Sequence, residues 1–322
     1  MNRRLLLARS GTLALAAIGW AAHAQSGTTR VVTGFAPGGS VDALSRMAAD
    51  AIAAATGGVA LVENKTGAGG RLAADLVKSS VPDGLTLLVA PQGPMTLFTH
   101  VFKDKLNYDP ARDFSPITRL VTADFALTVG PMTPAKDLAG FRDWLRTAGD
   151  KAAFGSPGAG TLPHFVGLTA AQKMGVPLTR VPYRGSAMSM NDLAGGNIAA
   201  TVSPVTEALQ LHKAGRVRII ATTGAERSPF VPDVPTFKEQ GIDLEVPLWF
   251  AVYGPAGLPP ATVERLRAAI DAGFGTADAK ERLAKLGMVP APLAPAALEA
   301  LRVRESAMWG PVVQASGFTP AQ

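Results

Sequence analysis

Two short segments constrain this chain more than anything else in it. Residues 31–42 read VVTGFAPGGSVD: an apolar, β-branched run, a glycine pair, then Ser40 and Asp42 opening an Ala-rich helical pattern. Residues 154–164 read FGSPGAGTLPH and repeat that layout. Each predicts a strand, a glycine turn and a helix N-terminus. Such a turn leaves backbone N–H groups unpaired, and the helix dipole adds partial positive charge there. An anion, above all a carboxylate, can rest in that place without any Arg or Lys. Two such loops in two similar halves predict a ligand held between them.

The surrounding sequence fits an α/β class. Strand patterns over 31–35, 59–63 and 85–90 alternate with helical patterns over 41–55 and 72–79. After a strand over 125–130 the alternation restarts: a helix near 136–148, strands over 152–155, 179–182, 198–203 and 217–222, and helices over 163–174, 187–194 and 206–214. A strand over 248–253 and helices near 261–274, 277–286 and 295–312 complete the chain. Alternation of this kind implies right-handed βαβ units and mostly parallel sheets. It reads as a coarse duplication: a two-lobed fold, each lobe a mostly parallel sheet flanked by helices, with a ligand cleft between. The expected division is 25–127 for the first lobe, 128–249 for the second, and 250–322 for the return to the first. The crossovers are expected at 123–134 and 246–255.

Residues 1–24 read as a cleavable leader. Arg3, Arg4 and Arg9 precede an apolar stretch too short to span a bilayer, and Ala22-His23-Ala24 is a small-x-small cleavage site. The expected location is the periplasm, with the general secretory and twin-arginine routes both open. The chain has no Cys, which excludes a lipobox anchor, disulfides and thiolate metal sites. The net charge is +6, and without the leader's three arginines it is +3. The cations are scattered rather than clustered, which argues against nucleic acid as a partner.

Nine phrases occur in order: FAPGGSVDALSR, VENKTGAGG, PDGLTLL, YDPARDFSPI, GSPGAGTLPH, VPYRGS, LAGG, AGRVRIIAT and VPTFKEQG. Together they closely resemble the Bug (Bordetella uptake gene) proteins, the solute receptors of tripartite tricarboxylate transporters. The resemblance implies a Venus-flytrap receptor that buries a small carboxylic acid in its cleft and delivers it to subunits in the cytoplasmic membrane. It also implies a monomer that neither inserts in the membrane nor needs a cofactor. The ligand would be held by backbone groups, hydroxyls and waters from Phe35, Ala36, Pro37, Gly38, Gly39, Ser40 and Asp42, and from Ser156, Pro157, Gly158, Ala159, Gly160, Thr161 and His164. Tyr183, Arg184 and Ser203 join this set. The chain departs from the common pattern at Ser186, where relatives often carry a third residue of an R-G-G phrase, and at Asn197-Ile198, where they often carry an acid. Ser203-Pro204-Val205-Thr206 lies where relatives vary with ligand. These departures bear on the ligand, not the fold: dicarboxylates, tricarboxylates, aromatic acids and amino acids all remain candidates.

Several residues carry two readings. Gly38-Gly39 with Ser40 as N-cap is either a tight turn or a ligand contact. Asp42 either complements the helix dipole or meets a ligand donor. Thr161 reads as an N-cap, and His164 as a structural or acting first-turn residue. Arg184 is either solvated or clamps a distal carboxylate bidentately. Glu63-Asn64-Lys65 with the glycines at 67, 69 and 70 is expected to shape the cleft floor. Catalysis is the rival class and lacks its motifs. There is no G-x-S-x-G elbow, and Gly155–Thr161 falls one Lys short of a phosphate loop. His23, His100, His164 and His212 lie far apart, and only Asp42 with His164 would make an acid–base pair. A periplasmic ligand presenter for a signalling receptor would use the same cleft.

Overall fold

The computed structural model describes residues 27–183 and 185–320; the expected leader and Arg184 lie outside them. In chain order the elements are β1 (Thr29–Thr33), α1 (Ser40–Thr56), β2 (Ala60–Asn64), α2 (Arg71–Lys78), β3 (Thr86–Pro91), α3 (Gln92–Thr96), α4 (Phe98–Phe102), β4 (Phe114–Val129), α5 (Leu138–Leu145), β5 (Ala153–Pro157), α6 (Leu162–Met174), β6 (Thr179–Tyr183), α7 (Ser186–Ala194), β7 (Ala200–Pro204), α8 (Val205–Lys213), β8 (Arg218–Thr222), β9 (Pro247–Pro255), α9 (Pro260–Gly275), α10 (Ala277–Lys285), β10 (Val289–Pro290) and α11 (Pro295–Ala315).

The strands run in the order β2-β1-β3-β9-β4-β7-β5-β6, with β8 and β10 also on β4. The βαβ units expected from the alternation are there: β1 pairs in parallel with β2 and β3, and β5 with β6 and β7. The whole is nonetheless a mixed sheet rather than a mostly parallel one. The strands that carry the chain between the halves, β4 and β9, pair antiparallel to each other and to their other neighbours. A chain that crosses and later returns must run back alongside itself, which produces this inversion. β4 pairs with β9 from Phe114 to Asp124 and with β7 from Phe125 to Val129, so one strand serves both halves.

Burial follows the alternation. Val31, Leu87, Val89, Phe250 and Val252 face one layer with Leu44, Ile52 and Ile270 of the helices. Val32, Leu88, Trp249, Ala251 and Tyr253 face the other with Leu298 and Leu301 of α11. Where β9 begins, the Trp249 N–H donates to Gln92 Oε1 at 2.7 Å, and the Trp249 indole donates to Glu305 Oε2 at 2.9 Å. Burial pushes the Glu305 carboxyl up to about 7. The folded state therefore keeps a proton that the unfolded chain releases near 4.5, and stability falls as pH rises from there toward about 7. Glu305→Gln is expected to flatten that part of the pH–stability curve in thermal melts; an unaltered curve would remove Glu305 from the account.

Candidate functional site

Both glycine loops end parallel strands and open helices, as the sequence predicts. The first joins β1 to α1 and the second joins β5 to α6. Neither helix is capped by the side chain at its N-cap. Gly39 holds that position on α1 with nothing to offer, so Ser40 is the first helical residue rather than the cap. Thr161 holds it on α6, but its hydroxyl turns back to donate to the carbonyls of Pro157 and Gly158, at 2.7 and 3.2 Å. The first-turn N–H groups of α1 are thus left for a guest, whereas on α6 Pro163 has no N–H and the His164 N–H donates to the Thr161 carbonyl at 3.1 Å, which leaves the Leu162 N–H.

A matched device sets each loop. On α1, Asp42 in the first turn accepts from the N–H of Gly38, four residues back, at 3.0 Å. On α6, His164 in the same turn position accepts through Nδ1 from the N–H of Gly160, also four residues back, at 3.2 Å. Gly38 and Gly160 both have positive φ, 86° and 71°. In each lobe the residue before the N-cap is left-handed and tied to the third helical residue. Gly39, by contrast, has φ −85°, and a Cβ there would meet only the Ala36 carbonyl, at an ordinary 3.7 Å. The conformational demand therefore falls on Gly38 and not on Gly39. Gly38→Ala is expected to cost about 1–2 kcal/mol in chemical denaturation, the strain of a side chain in that region, while Gly39→Ala stays within about 0.5 kcal/mol. Equal costs would contradict this placement.

Asp42 is only 3 % exposed and its carboxylate is fully engaged. Besides Gly38 it accepts from Asn64 Nδ2 at 2.9 Å and from Arg46 Nε and Nη2 at 3.0 and 3.2 Å. Asn64 also donates to the Phe35 carbonyl at 3.0 Å, so it stitches both ends of the loop to the end of β2. Burial pushes the Asp42 carboxyl up, but these hydrogen bonds and the Arg46 charge outweigh it and hold the group below the ordinary range. The geometry gives Asp42 the task of shaping the loop.

His164 is 4 % exposed, stacked on Phe165 with ring centres 4.7 Å apart and edge-on to Phe318 at 5.0 Å. Burial, aided by the nearby Arg180 charge, pushes its pKa down to about 4. A neutral ring can keep Nδ1 as acceptor for Gly160; a protonated one cannot. Among the described residues no cluster of His, Asp and Glu has metal-binding form.

The remaining residues separate into contacts and supports. Ala36, Pro37, Gly38, Gly39 and Ala159 are exposed; Phe35, Ser40, Pro157, Gly158 and Thr161 are half-buried. Ser156 and Ser203 are fully buried at the ends of β5 and β7. The Tyr183 hydroxyl is committed to Asp192 at 2.7 Å; burial, then this bond and the acid's charge, push its pKa up to about 12. The glycine segment expected to shape the cleft floor packs against the first loop. Gly34 and Gly70 approach so closely that a Cβ on Gly34 would fall 2.3 Å from the Gly70 Cα. Gly70 faces Phe35 and Pro94, and Gly69 faces Phe98. Gly93 on the same short helix pair abuts Leu162, and Gly160 abuts Val101. Helices α3 and α4 therefore link the two loops. Sequence reasoning missed Arg46, the tie that Asn64 makes to Asp42 and Phe35, and Arg180. An i, i+4 acid–base spacing signals the first; the others depend on strand register.

Residues 44–318 match the profile of the tripartite tricarboxylate transporter family receptor. The chain belongs to that family. Solved structures agree with the placement. MatC from Rhodopseudomonas palustris with bound malate is 31% identical, covers 89% of this chain and 98% of its own, and superposes with a TM-score of 0.80. Rpa4515 from the same organism with adipate is 28% identical, with 91% and 98% covered and a TM-score of 0.84. The periplasmic binding protein BugD is 29% identical, with 90% and 97% covered and a TM-score of 0.80. The Bug likeness read from the nine phrases is borne out, as is the two-lobed α/β fold of periplasmic binding proteins. The chain is a solute-binding protein of the receptor family, and the similar BugD is itself named a periplasmic binding protein. No helix among the described residues is long and apolar enough to cross a membrane.

Proposed function

We propose that this protein captures a small organic carboxylate in the periplasm and delivers it to the membrane subunits of a tripartite transporter, without altering it. The observation that carries the reading is the pair of uncapped helix N-termini set by the Gly38–Asp42 and Gly160–His164 ties. Each offers backbone donors and the positive end of a helix dipole, which is what an ionised carboxyl group needs. The contacts assigned to the ligand are the backbone of Phe35 to Ser40 and of Ser156 to Thr161 and the hydroxyls of Ser40 and Ser156, with Ser203 beneath. Asp42, His164 and Tyr183 support those loops, because their polar atoms are already engaged within the protein. The malate and adipate of the similar structures belong to this chemical class.

Closure belongs to the same reading. The first lobe comprises 25–127 and the return 250–322, the second 128–249, and the crossovers 123–134 and 246–255 bend as the cleft shuts. A buried carboxylate needs donors from both lobes and exclusion of water, so tight binding selects the closed state.

A panel of organic acids screened by thermal shift and calorimetry tests the function. A ligand at a hundred times its Kd is expected to stabilise the protein by about 2.7 kcal/mol. The same acid should be recovered unchanged after prolonged incubation. Turnover of a stabilising acid, or no response to any acid, would overturn the proposal.

A further inference from the structure

Asp124 stands where β4 changes partners. It is the last residue paired with β9, opposite Pro247, and Phe125 is the first paired with β7, opposite Pro204. Both facing residues are prolines and bring no N–H to the ladder. Thr223, just after β8, binds this spot together: its hydroxyl donates to the Val246 carbonyl at 2.7 Å and accepts from the Phe125 N–H at 3.0 Å. The Asp124 side chain rests on the next residue. A Cβ on the buried Gly224 would fall 2.7 Å from Asp124 Oδ1, so the missing side chain is what gives the carboxyl its place. The backbone of Asp124 is thus held by β9, and its carboxyl lies against the segment that follows β8 in the other half of the sheet.

The backbone here is well bonded, but the half-buried Asp124 carboxyl makes no hydrogen bond or ion pair among the described residues, and burial alone acts on it, pushing its pKa up to about 6. The charges on the surrounding elements are engaged elsewhere or of the same sign. Arg227 holds Glu239 at 2.9 Å, Lys238 holds Glu245 at 3.2 Å, and Arg119 of β4 donates to the Ala291 carbonyl at 2.7 Å. Glu226 beyond Gly224, Glu207 of α8 and Glu305 of α11 are acids and disfavour a further negative charge. A carboxyl withdrawn from water without a donor is costly when ionised and cheap when protonated. Movement of the lobes about β4 shifts Gly224 relative to β9 and wets this carboxyl; closing encloses it again.

We infer that Asp124 makes lobe closure, and with it ligand capture, proton-linked, because its carboxyl must take a proton from solvent or bear an uncompensated charge each time the lobes close about β4. This rests on the closure reading above and adds to it a sensitivity to acid. Capture is favoured as pH falls through about 6 and opposed above it.

The test is calorimetry with malate and adipate as probes, at pH 7.5 and 5.0, on the wild type and Asp124→Asn. The amide keeps the shape and never ionises. At pH 7.5 the variant is expected to bind at least about tenfold tighter than the wild type, and the gap should shrink about tenfold by pH 5.0. Comparing the two proteins at each pH cancels the titration of the probes, of Glu305 and of His164. Equal affinity at pH 7.5, or a gap that pH does not change, overturns the inference and leaves the carboxylate reading standing. Should Asp124→Asn not melt cooperatively, Asp124→Ser takes its place under the same criteria. A radius of gyration that a saturating probe leaves unchanged would remove closure, and the inference with it. If neither probe binds the wild type, the carboxylate reading fails for these acids and scattering without ligand decides. The wild type should then contract between pH 7.5 and 5.0 while the variant stays constant, and any other result overturns the inference.

Discussion

Asp42→Ala is expected to destabilise the protein by about 3 kcal/mol and to abolish carboxylate binding at any practical concentration. The carboxylate is buried and receives donors from Gly38, Asn64 and Arg46 at once. Removing it leaves the Gly38 N–H and the half-buried Asn64 amide without their acceptor, and an unsatisfied buried polar group costs about 1–3 kcal/mol. The Arg46 side chain is half-exposed, so its loss adds little. Binding suffers more than folding does. Without the Gly38 tie the left-handed turn is no longer held, and the first-turn N–H groups of α1 cease to be a fixed array. Asp42→Asn keeps one acceptor oxygen and should retain part of both properties. Denaturant unfolding and calorimetry on the two variants give the answer; a folded Asp42→Ala that binds at wild-type affinity would mean that Asp42 does not govern the loop.

The corresponding tie in the second lobe is sensitive to pH. The unfolded chain protonates His164 near 6.5, whereas the folded protein resists protonation down to about 4. Between those values the unfolded state binds a proton that the native state refuses. The contribution of His164 is therefore complete above about 6.5 and is lost as pH falls toward about 4. The displacement corresponds to roughly 3 kcal/mol, of which screening near the loop leaves about 2 kcal/mol. Buried acids oppose it in the same window: burial raises Asp124 to about 6 and Glu305 to about 7, so they favour the folded state as pH falls. The comparison that isolates His164 is wild type against His164→Phe, melted from pH 7.5 to 4.5. The wild type should lose about 2 kcal/mol relative to the variant across that range, and parallel curves would sink the assignment.

What the sequence disclosed and what it hid follow one physical line. The glycine loops were legible because a strand period, a glycine cluster and a helix period are local signals. The helices α1 and α6 lie within a residue or so of expectation for the same reason. The first two-thirds of β4 was not legible: Ser115, Pro116, Arg119 and Thr122 interrupt its apolar pattern, and only pairing with β9, more than a hundred residues on, makes it a strand. Helices α3 and α4, five residues each, are too short to display a period. At the site, residue types were readable but not which atoms were already spent. Asp42 depends on Asn64, 22 residues away, and Ser156 on Arg180, 24 away, and both partnerships arise from strand register. Thr161 sits at an N-cap without capping, a choice made by the carbonyls behind it.

The crossing of β4 and β9 also governs when this molecule can become a folded one. In the central sheet Leu88 lies beside Tyr253, and Phe114 beside Pro255. A chain emerging from its N-terminus can make β1, β2 and β3 early, yet the strand that joins them to β4 arrives only with residues 247–255. Closing so long an excursion is entropically demanding, and pairings so remote in sequence form slowly. A strand that comes late in sequence thus closes the centre of the sheet, and its pairings with β3 and β4 are expected to form late in folding.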